Sequence, residues 1–332
     1  MRALVFRGPW DLAVEDRPEP SPGRADTLLE ILATGICGSD LHGYTGDTGR
    51  RHPGQVMGHE TVGRVVEDRT GAYAAGSVVT VNPVLGCGRC AACSAGQAQR
   101  CPQRRVIGVQ PELSAAFAER MVAPTRNVVP LPDGTPPDLG ALVEPLAVGF
   151  HAVQRGGLGA DDELLVIGGG PIGQAVALGA RRLGATDVVV AELDAHRRDL
   201  LTRLGFTAAH PDALGDRHPM LVVDAVGSSR TLATALELSA PGARIVLVGM
   251  AAPTVELAAY AVSTGERSIV GTFSYDDAAF VGTAAWVGAH AGSLEPLVEA
   301  HVDLDHAPDT FRALARGELT ASKVLVHPQE RP

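Results

Sequence analysis

The sequence predicts an α/β protein in two parts: a mostly-β part, then a doubly wound parallel sheet. Three observations predict it. Residues 1–145 carry short apolar and β-branched runs cut by proline and glycine. From about residue 150 short apolar runs alternate with helical stretches, as parallel strands and their crossovers do. Between 82 and 105 the periodicity vanishes and Gly, Cys and Ala take over, which marks a piece with little core of its own.

Residues 3–6, 12–15 and 27–33 read as strands, interrupted by Pro18, Pro20, Pro22 and Gly23. Residues 61–66 and 78–82 are further strands, and 131–137 is a Pro/Gly-rich loop. Residues 164–167 read as a buried parallel strand followed by a helix from about Pro171 to Leu183. Residues 188–191, 221–224, 245–248 and 269–273 continue the alternation, and 245–248 is a candidate to pair across a subunit boundary. From about 288 the chain returns to mixed α/β, a tail suited to folding back onto the first part.

A chain of 332 residues accommodates two domains. The net charge of −10 argues against nucleic-acid or anionic-membrane partners. No apolar run approaches the roughly 18 residues of a membrane span, and the N-terminus lacks a signal-peptide hydrophobic region. A cytoplasmic protein with a small-molecule partner is the expectation. Lys323 is the only lysine, which reads as a coding bias, and Arg50, Arg51 and His52 read as a solvated loop.

In a reducing cytosol, cysteines favour metal over disulfides. Cys87, Cys90, Cys93 and Cys101 form C-x2-C-x2-C-x7-C, a sulfur-only cage suited to structural zinc. Cys37 stands apart in Gly35-Ile36-Cys37-Gly38-Ser39-Asp40, followed by Gly58-His59-Glu60 and later Glu144-Pro145. Singly, these residues are more often a small core thiol, a satisfied histidine and solvated glutamates. Jointly they read as a mixed ligand set that leaves room for exchange, which suits a catalytic zinc. Cys37 and His59 are the firm ligands; Glu60 or Glu144, or each in turn, completes the set. Ser39 and His42 follow Cys37 closely enough to pass a proton outward, although a turn-capping hydroxyl and a surface histidine are equally good readings of the residues alone.

Gly168-Gly169-Gly170-Pro171-Ile172-Gly173 fits G-x-G-x-x-G, after a strand and opening a helix. Gly168 permits the tight turn, Gly170 lets backbone approach a pyrophosphate, and Gly173 lets the helix pack close. Pro171 and Ile172 begin the helix whose N-terminus faces the phosphates. Glu192, ending 188–191, can accept both ribose hydroxyls of NAD and repels a 2'-phosphate. Arg197 and Arg198 suit the adenine face or a 2'-phosphate; NAD is favoured over NADP. Metal plus dinucleotide implies hydride transfer at a hydroxyl made acidic by a Lewis acid.

Together these motifs, with Leu41-His42 and the stretch from Val143 to Ala152, resemble the zinc-containing medium-chain dehydrogenase/reductase family across essentially the whole chain. The stretch from Val143 is most similar to the sorbitol/polyol and threonine dehydrogenase branch. The resemblance implies a GroES-like catalytic domain at 1–148 with a zinc lobe at 83–105, a Rossmann domain at 149–287, and a segment at 288–332 completing the first. It implies an active site in the cleft between domains, a proton relay through Ser39 and His42, and a homodimer or homotetramer. Phe273-Ser274-Tyr275 stands where sorbitol-type enzymes carry an Arg-Tyr pair, and Gly43 replaces an aromatic residue, so Tyr44, 50–52 and 274–275 are expected to shape a different pocket. The expected reaction is zinc-dependent hydride exchange between a secondary alcohol, of polyol, cyclitol or aminopolyol type, and NAD(P). Alternatives are a biosynthetic ketone reductase and a zinc-free quinone or enoyl reductase.

Overall fold

The computed structural model describes residues 1–329. The chain divides into two compact units, Met1–Glu144 with the chain from Asp276 onward, and Pro145–Tyr275.

The first unit is built around the strand Asp26–Gly35, whose Leu29, Ile31 and Ala33 are fully buried. It pairs antiparallel with Glu60–Asp68, Arg120–Pro124 and Lys323–His327. The last of these comes from the tail, which also pairs in parallel with Val298–Asp303. Val324, Leu325 and Val326 bury completely or nearly so, which is the reason this distant segment docks. The register sets Gly35 opposite both Glu60 and Leu325. A Cβ on Gly35 would lie 2.1 Å from Glu60 Oε2 and 3.0 Å from Lys323 Cδ. Glycine is therefore demanded here by crowding, and the crowd is a set of charged groups.

A smaller antiparallel sheet of Arg2–Gly8, Asp11–Asp16 and Gln55–Val56 lies in the same unit. Leu4, Phe6, Met57, Phe117 and Phe311 form its apolar core with Tyr44. The expectation that Tyr44 borders a substrate pocket is thereby corrected. Its ring is 1% exposed, packs edge-on to Phe311 at 5.8 Å, and its hydroxyl donates to the Trp10 carbonyl at 3.2 Å.

The second unit is a six-stranded, all-parallel sheet. In sequence order its strands are Leu164–Ile167, Val188–Ala191, Thr207–Ala209, Leu221–Asp224, Arg244–Leu247 and Ser268–Gly271. Their spatial order is 3-2-1-4-5-6, which places the topological switch between the first and fourth strands. Leu165, Ile167, Val189, Val222 and Ile245 share one buried face. Thr207–Ala209 is too short and alanine-rich to announce itself as a strand. Arg244–Leu247 has a neighbour on each side, so the idea that 245–248 pairs across a subunit boundary is overturned. The two edges of the sheet are Thr207–Ala209 and Ser268–Gly271.

Candidate functional site

Cys37 immediately precedes the helix Gly38–Thr45, and its N–H donates to Asp40 Oδ2 at 3.2 Å, tying the loop to the first turn. His59 and Glu60 sit where the strand Glu60–Asp68 begins. Gly58 turns the chain into that strand with φ +98°, and a Cβ there would strike the Phe117 backbone nitrogen at 2.8 Å. One ligand atom each from Cys37, His59 and Glu60 fall within 4.8 Å of one another. Glu144, in the first turn of the helix Val143–Gly156 and 8% exposed, is not part of that group.

The surroundings of this trio are charged and largely buried. Asp40 Oδ1 lies 3.5 Å from His59 Nδ1 and 3.7 Å from Arg51 Nη2. Arg51 also donates to the Ser39 carbonyl at 3.4 Å, and its side chain is 3% exposed. The expectation of a solvated 50–52 loop therefore fails at Arg51, which is a buried counter-ion. Lys323 Nζ donates to both carboxylate oxygens of Glu60, at 2.8 and 2.6 Å, and to the Ile36 carbonyl at 3.3 Å. The only lysine is thus spent at the centre of the first unit.

Burial works to lower the pKa of His59, but Asp40 and Cys37 outweigh it and hold the ring well above the ordinary histidine value. Burial works to raise Asp40, but His59 and Arg51 overcome it and hold the carboxyl low. Lys323 is raised in spite of burial by Glu60, Cys37 and Glu144. Cys37, Asp40, Glu60 and Glu144 gather more acidic groups than the cations Lys323 and Arg51 offset, and a bound metal cation suits such a surplus. The donor set, one sulfur, one imidazole and carboxylate, fits zinc. Asp40, at the Nδ1 side of His59, fixes the ring so that its other nitrogen turns elsewhere.

Ser39 and His42 lie three residues apart on the helix Gly38–Thr45, on one face. Ser39 is exposed, and the His42 side chain is 42% exposed with Nδ1 3.6 Å from Asp47.

The four-cysteine lobe folds on itself. Cys90 Sγ and Cys93 Sγ are 3.6 Å apart, Cys87 Sγ and Cys93 Sγ 4.0 Å, and no pair is bonded. A tetrahedron of zinc–sulfur bonds of about 2.3 Å has edges near 3.8 Å, so the cage has the right size. Arg89 and Cys90 backbone N–H groups draw the Cys87 pKa down to about 6.

In the second unit the glycine run follows the first parallel strand. Gly168 has φ +95°, and a Cβ at Gly173 would lie 1.8 Å from the Gly168 carbonyl oxygen. At Gly170 a Cβ would meet only the end of the Arg197 side chain, Nη1 at 3.5 Å and Cζ at 4.0 Å, so the backbone is open to a ligand. Gly170 caps the helix Pro171–Arg182, with Ile172 and Gly173 in its first turn. Glu192 accepts from the Gly169 N–H at 2.6 Å and the Asp194 N–H at 2.8 Å. Arg197 Nη1 stands 4.0 Å from Glu192, while Arg198 is occupied with the Glu192 and Leu193 carbonyls. Asp224 escaped sequence reasoning. It is fully buried across the switch point, where Oδ1 accepts from Val226 and Gly227 N–H and Oδ2 from Thr231. Asp40, Arg51 and Lys323 were missed likewise; Asp40 directly after Ser39 was the one available signal.

A sulfur–imidazole–carboxylate site and a sulfur cage in the first unit, with a dinucleotide-type turn in the second, define a class of metal-dependent nicotinamide oxidoreductases. Residues 23–133 match the alcohol dehydrogenase GroES-like domain and residues 171–289 the zinc-binding dehydrogenase domain. L-galactonate-5-dehydrogenase of Escherichia coli (strain K12) is 32% identical over 262 residues, covering 75% of this chain and 76% of that protein. L-threonine 3-dehydrogenase of Xanthomonas axonopodis pv. citri (strain 306) is 33% identical over 270 residues, covering 75% and 77%. The crystal structure of a zinc-binding dehydrogenase from Sinorhizobium meliloti 1021 bound to NADP matches with a TM-score of 0.88 at 28% identity, over 98% of this chain and 99% of that one. The chain belongs to the zinc-binding medium-chain dehydrogenase family. It is an oxidoreductase of the zinc- and NAD(P)-dependent, alcohol–carbonyl type. Among the described residues no helix is long and apolar enough to cross a membrane.

Proposed function

We propose that this enzyme exchanges hydride between NAD and a secondary hydroxyl flanked by further hydroxyl or amino groups. The observation that carries the proposal is the convergence of Cys37, His59 and Glu60, one ligand atom each within 4.8 Å of the others, which suits a divalent ion. The two curated relatives described above, one named for a sugar acid and one for a hydroxy amino acid, support a substrate with polar neighbours at the reacting carbon.

When bound, zinc supplies a Lewis acid that lowers the pKa of a substrate hydroxyl, and the nicotinamide accepts the hydride. The chain's own residues do the rest. Cys37 and His59 would hold the ion, with Glu60 or Glu144 completing the set. Asp40 keeps His59 oriented, and Arg51 keeps Asp40 ionised. Lys323 neutralises Glu60, so the site tolerates a carboxylate beside a thiolate. Ser39 takes the proton leaving the substrate and His42, half open to water, releases it. Gly168, Gly170 and Gly173, with the N–H groups that follow Pro171 in the first turn of the helix Pro171–Arg182, would hold the pyrophosphate, and Glu192 the adenosine ribose.

A cytoplasmic homo-oligomer fits this reading. Five unpaired cysteines suit a reducing compartment. The edge strand Ser268–Gly271 and the exposed Met250, Leu257 and Tyr260 offer a partner both backbone and apolar surface.

The test is a screen of polyols, sugar acids and amino alcohols with NAD and NADP in parallel, alongside zinc analysis of the wild type and Cys37→Ala. The proposal expects reduction of NAD by at least one vicinal diol or amino alcohol, and loss of both turnover and one zinc in the variant. Full turnover by Cys37→Ala would overturn it.

A further inference from the structure

A second histidine-bearing cluster lies in the first unit, apart from both zinc-type sites. His301 sits on the strand Val298–Asp303 and His327 ends the neighbouring parallel strand Lys323–His327. Asp138 lies on the 3-10 turn Pro137–Leu142. His301 Nδ1 is 3.0 Å from His327 Nε2 and 3.6 Å from Asp138 Oδ2, and His327 Nε2 is 3.9 Å from Asp138 Oδ1. Metal–ligand bonds of about 2.0–2.1 Å in a tetrahedron set donor atoms roughly 3.4 Å apart. The observed separations bracket that value.

The hydrogen bonding around the cluster points the same way. His327 Nδ1 lies 3.0 Å from the Leu32 carbonyl oxygen. A carbonyl only accepts, so that nitrogen carries the proton, and in the neutral ring the lone pair of Nε2 faces His301 and Asp138. An imidazole whose far nitrogen is pinned by a backbone carbonyl is the arrangement that orients metal-ligating histidines. His327 is nearly buried, at 9% side-chain exposure, whereas His301 at 39% and Asp138 at 32% leave an entry from solvent.

We propose that Asp138, His301 and His327 form a third metal site, for a divalent transition ion of the zinc, nickel or copper kind. Two imidazoles and one carboxylate are ligands of that hardness; calcium and magnesium demand more oxygen. Bound there, the ion clamps the two C-terminal strands to the turn that leads into Glu144.

The experiment is equilibrium dialysis of the purified enzyme, already carrying its resident metals, against rising Zn2+. The expected result is one further equivalent per chain beyond those retained after exhaustive dialysis. His301→Ala and Asp138→Asn, both at solvent-facing positions, should each weaken it by roughly tenfold or more, since each removes one ligand of three. Cys37→Ala should lose a resident zinc yet still take up the additional one, which separates this site from the proposed catalytic one. Cu2+ added to the zinc-loaded protein should give an electron paramagnetic resonance spectrum with coupling to two nitrogens, a readout that needs no variant. No further equivalent up to about millimolar free Zn2+ would overturn the proposal, as would uptake unchanged in both variants or a copper spectrum without two-nitrogen coupling. In that event the cluster is a hydrogen-bonded histidine pair.

Discussion

The pairing of Lys323 with Glu60 gives the sharpest prediction. Both side chains are almost wholly shielded, at 3% and 1% exposure, and the ammonium reaches both carboxylate oxygens and the Ile36 carbonyl. Lys323→Met preserves most of the aliphatic stem and removes the charge. Removing one partner of a buried pair costs about 3–5 kcal/mol, because the other charge is left uncompensated. At roughly 2–4 °C per kcal/mol for a sizeable domain, the unfolding midpoint should drop by about 6–20 °C. Glu60→Gln combined with Lys323→Met removes both charges and should recover more than half of the loss, a coupling that a double-mutant cycle reads directly. The raised pKa of Lys323 adds a pH signature. Its stabilisation is complete below the unfolded lysine value near 10.5 and is lost as pH rises through the higher folded value, so the variant and the wild type should converge only at strongly alkaline pH. The assay is calorimetry of the zinc-loaded protein from neutral to alkaline pH. A Lys323→Met protein within about 1 kcal/mol of wild type at neutral pH would refute the argument.

Other consequences can be checked more briefly. Cys93→Ser should cost one zinc per chain and open residues 83–105 to protease, while the parallel sheet of the second unit keeps its protection; metal analysis with limited proteolysis reads both. Glu192→Ala removes the acceptor of the Gly169 and Asp194 N–H groups and the proposed ribose partner, so the KM for NAD should rise about tenfold or more while NADP gains ground, as steady-state kinetics with both coenzymes will show. Gly35→Ala sets a methyl group against Glu60 Oε2 and should lower thermal stability by about 1–3 kcal/mol and turnover more severely than that implies. His42→Ala should reduce turnover by roughly 10²-fold at neutral pH while leaving zinc content unchanged.

Much of the fold was legible because it rests on short-range pattern. The apolar runs at 164–167, 188–191 and 221–223 fill all or nearly all of a buried strand, so composition alone reveals them. The turn at Gly168 was legible because a positive φ and a helix pressed against a carbonyl leave glycine little competition. One ligand atom each of Cys37, His59 and Glu60, residues read jointly in the sequence as a ligand set, lies within 4.8 Å of the others. What supports them was not legible. Lys323 meets Glu60 across 263 residues, and no local periodicity records a partner so far away. Arg51 looked like loop because its neighbours Arg50 and His52 are polar; only the fold turns its guanidinium inward to Asp40. Thr207–Ala209 is a strand by virtue of Val188–Ala191 beside it, not by its own residues.

The late position of Lys323 has a consequence for how the enzyme is born. The acid beside His59 emerges from the ribosome long before its only direct lysine counter-ion, and the strand carrying that counter-ion slots between two others already made. At synthesis rates of about 5–20 residues per second, the nascent chain spends roughly 13–50 seconds with this charge uncancelled. Maturation of the centre is therefore tied to completion of the polypeptide, and a prematurely terminated copy lacks the neutralising ammonium at its heart.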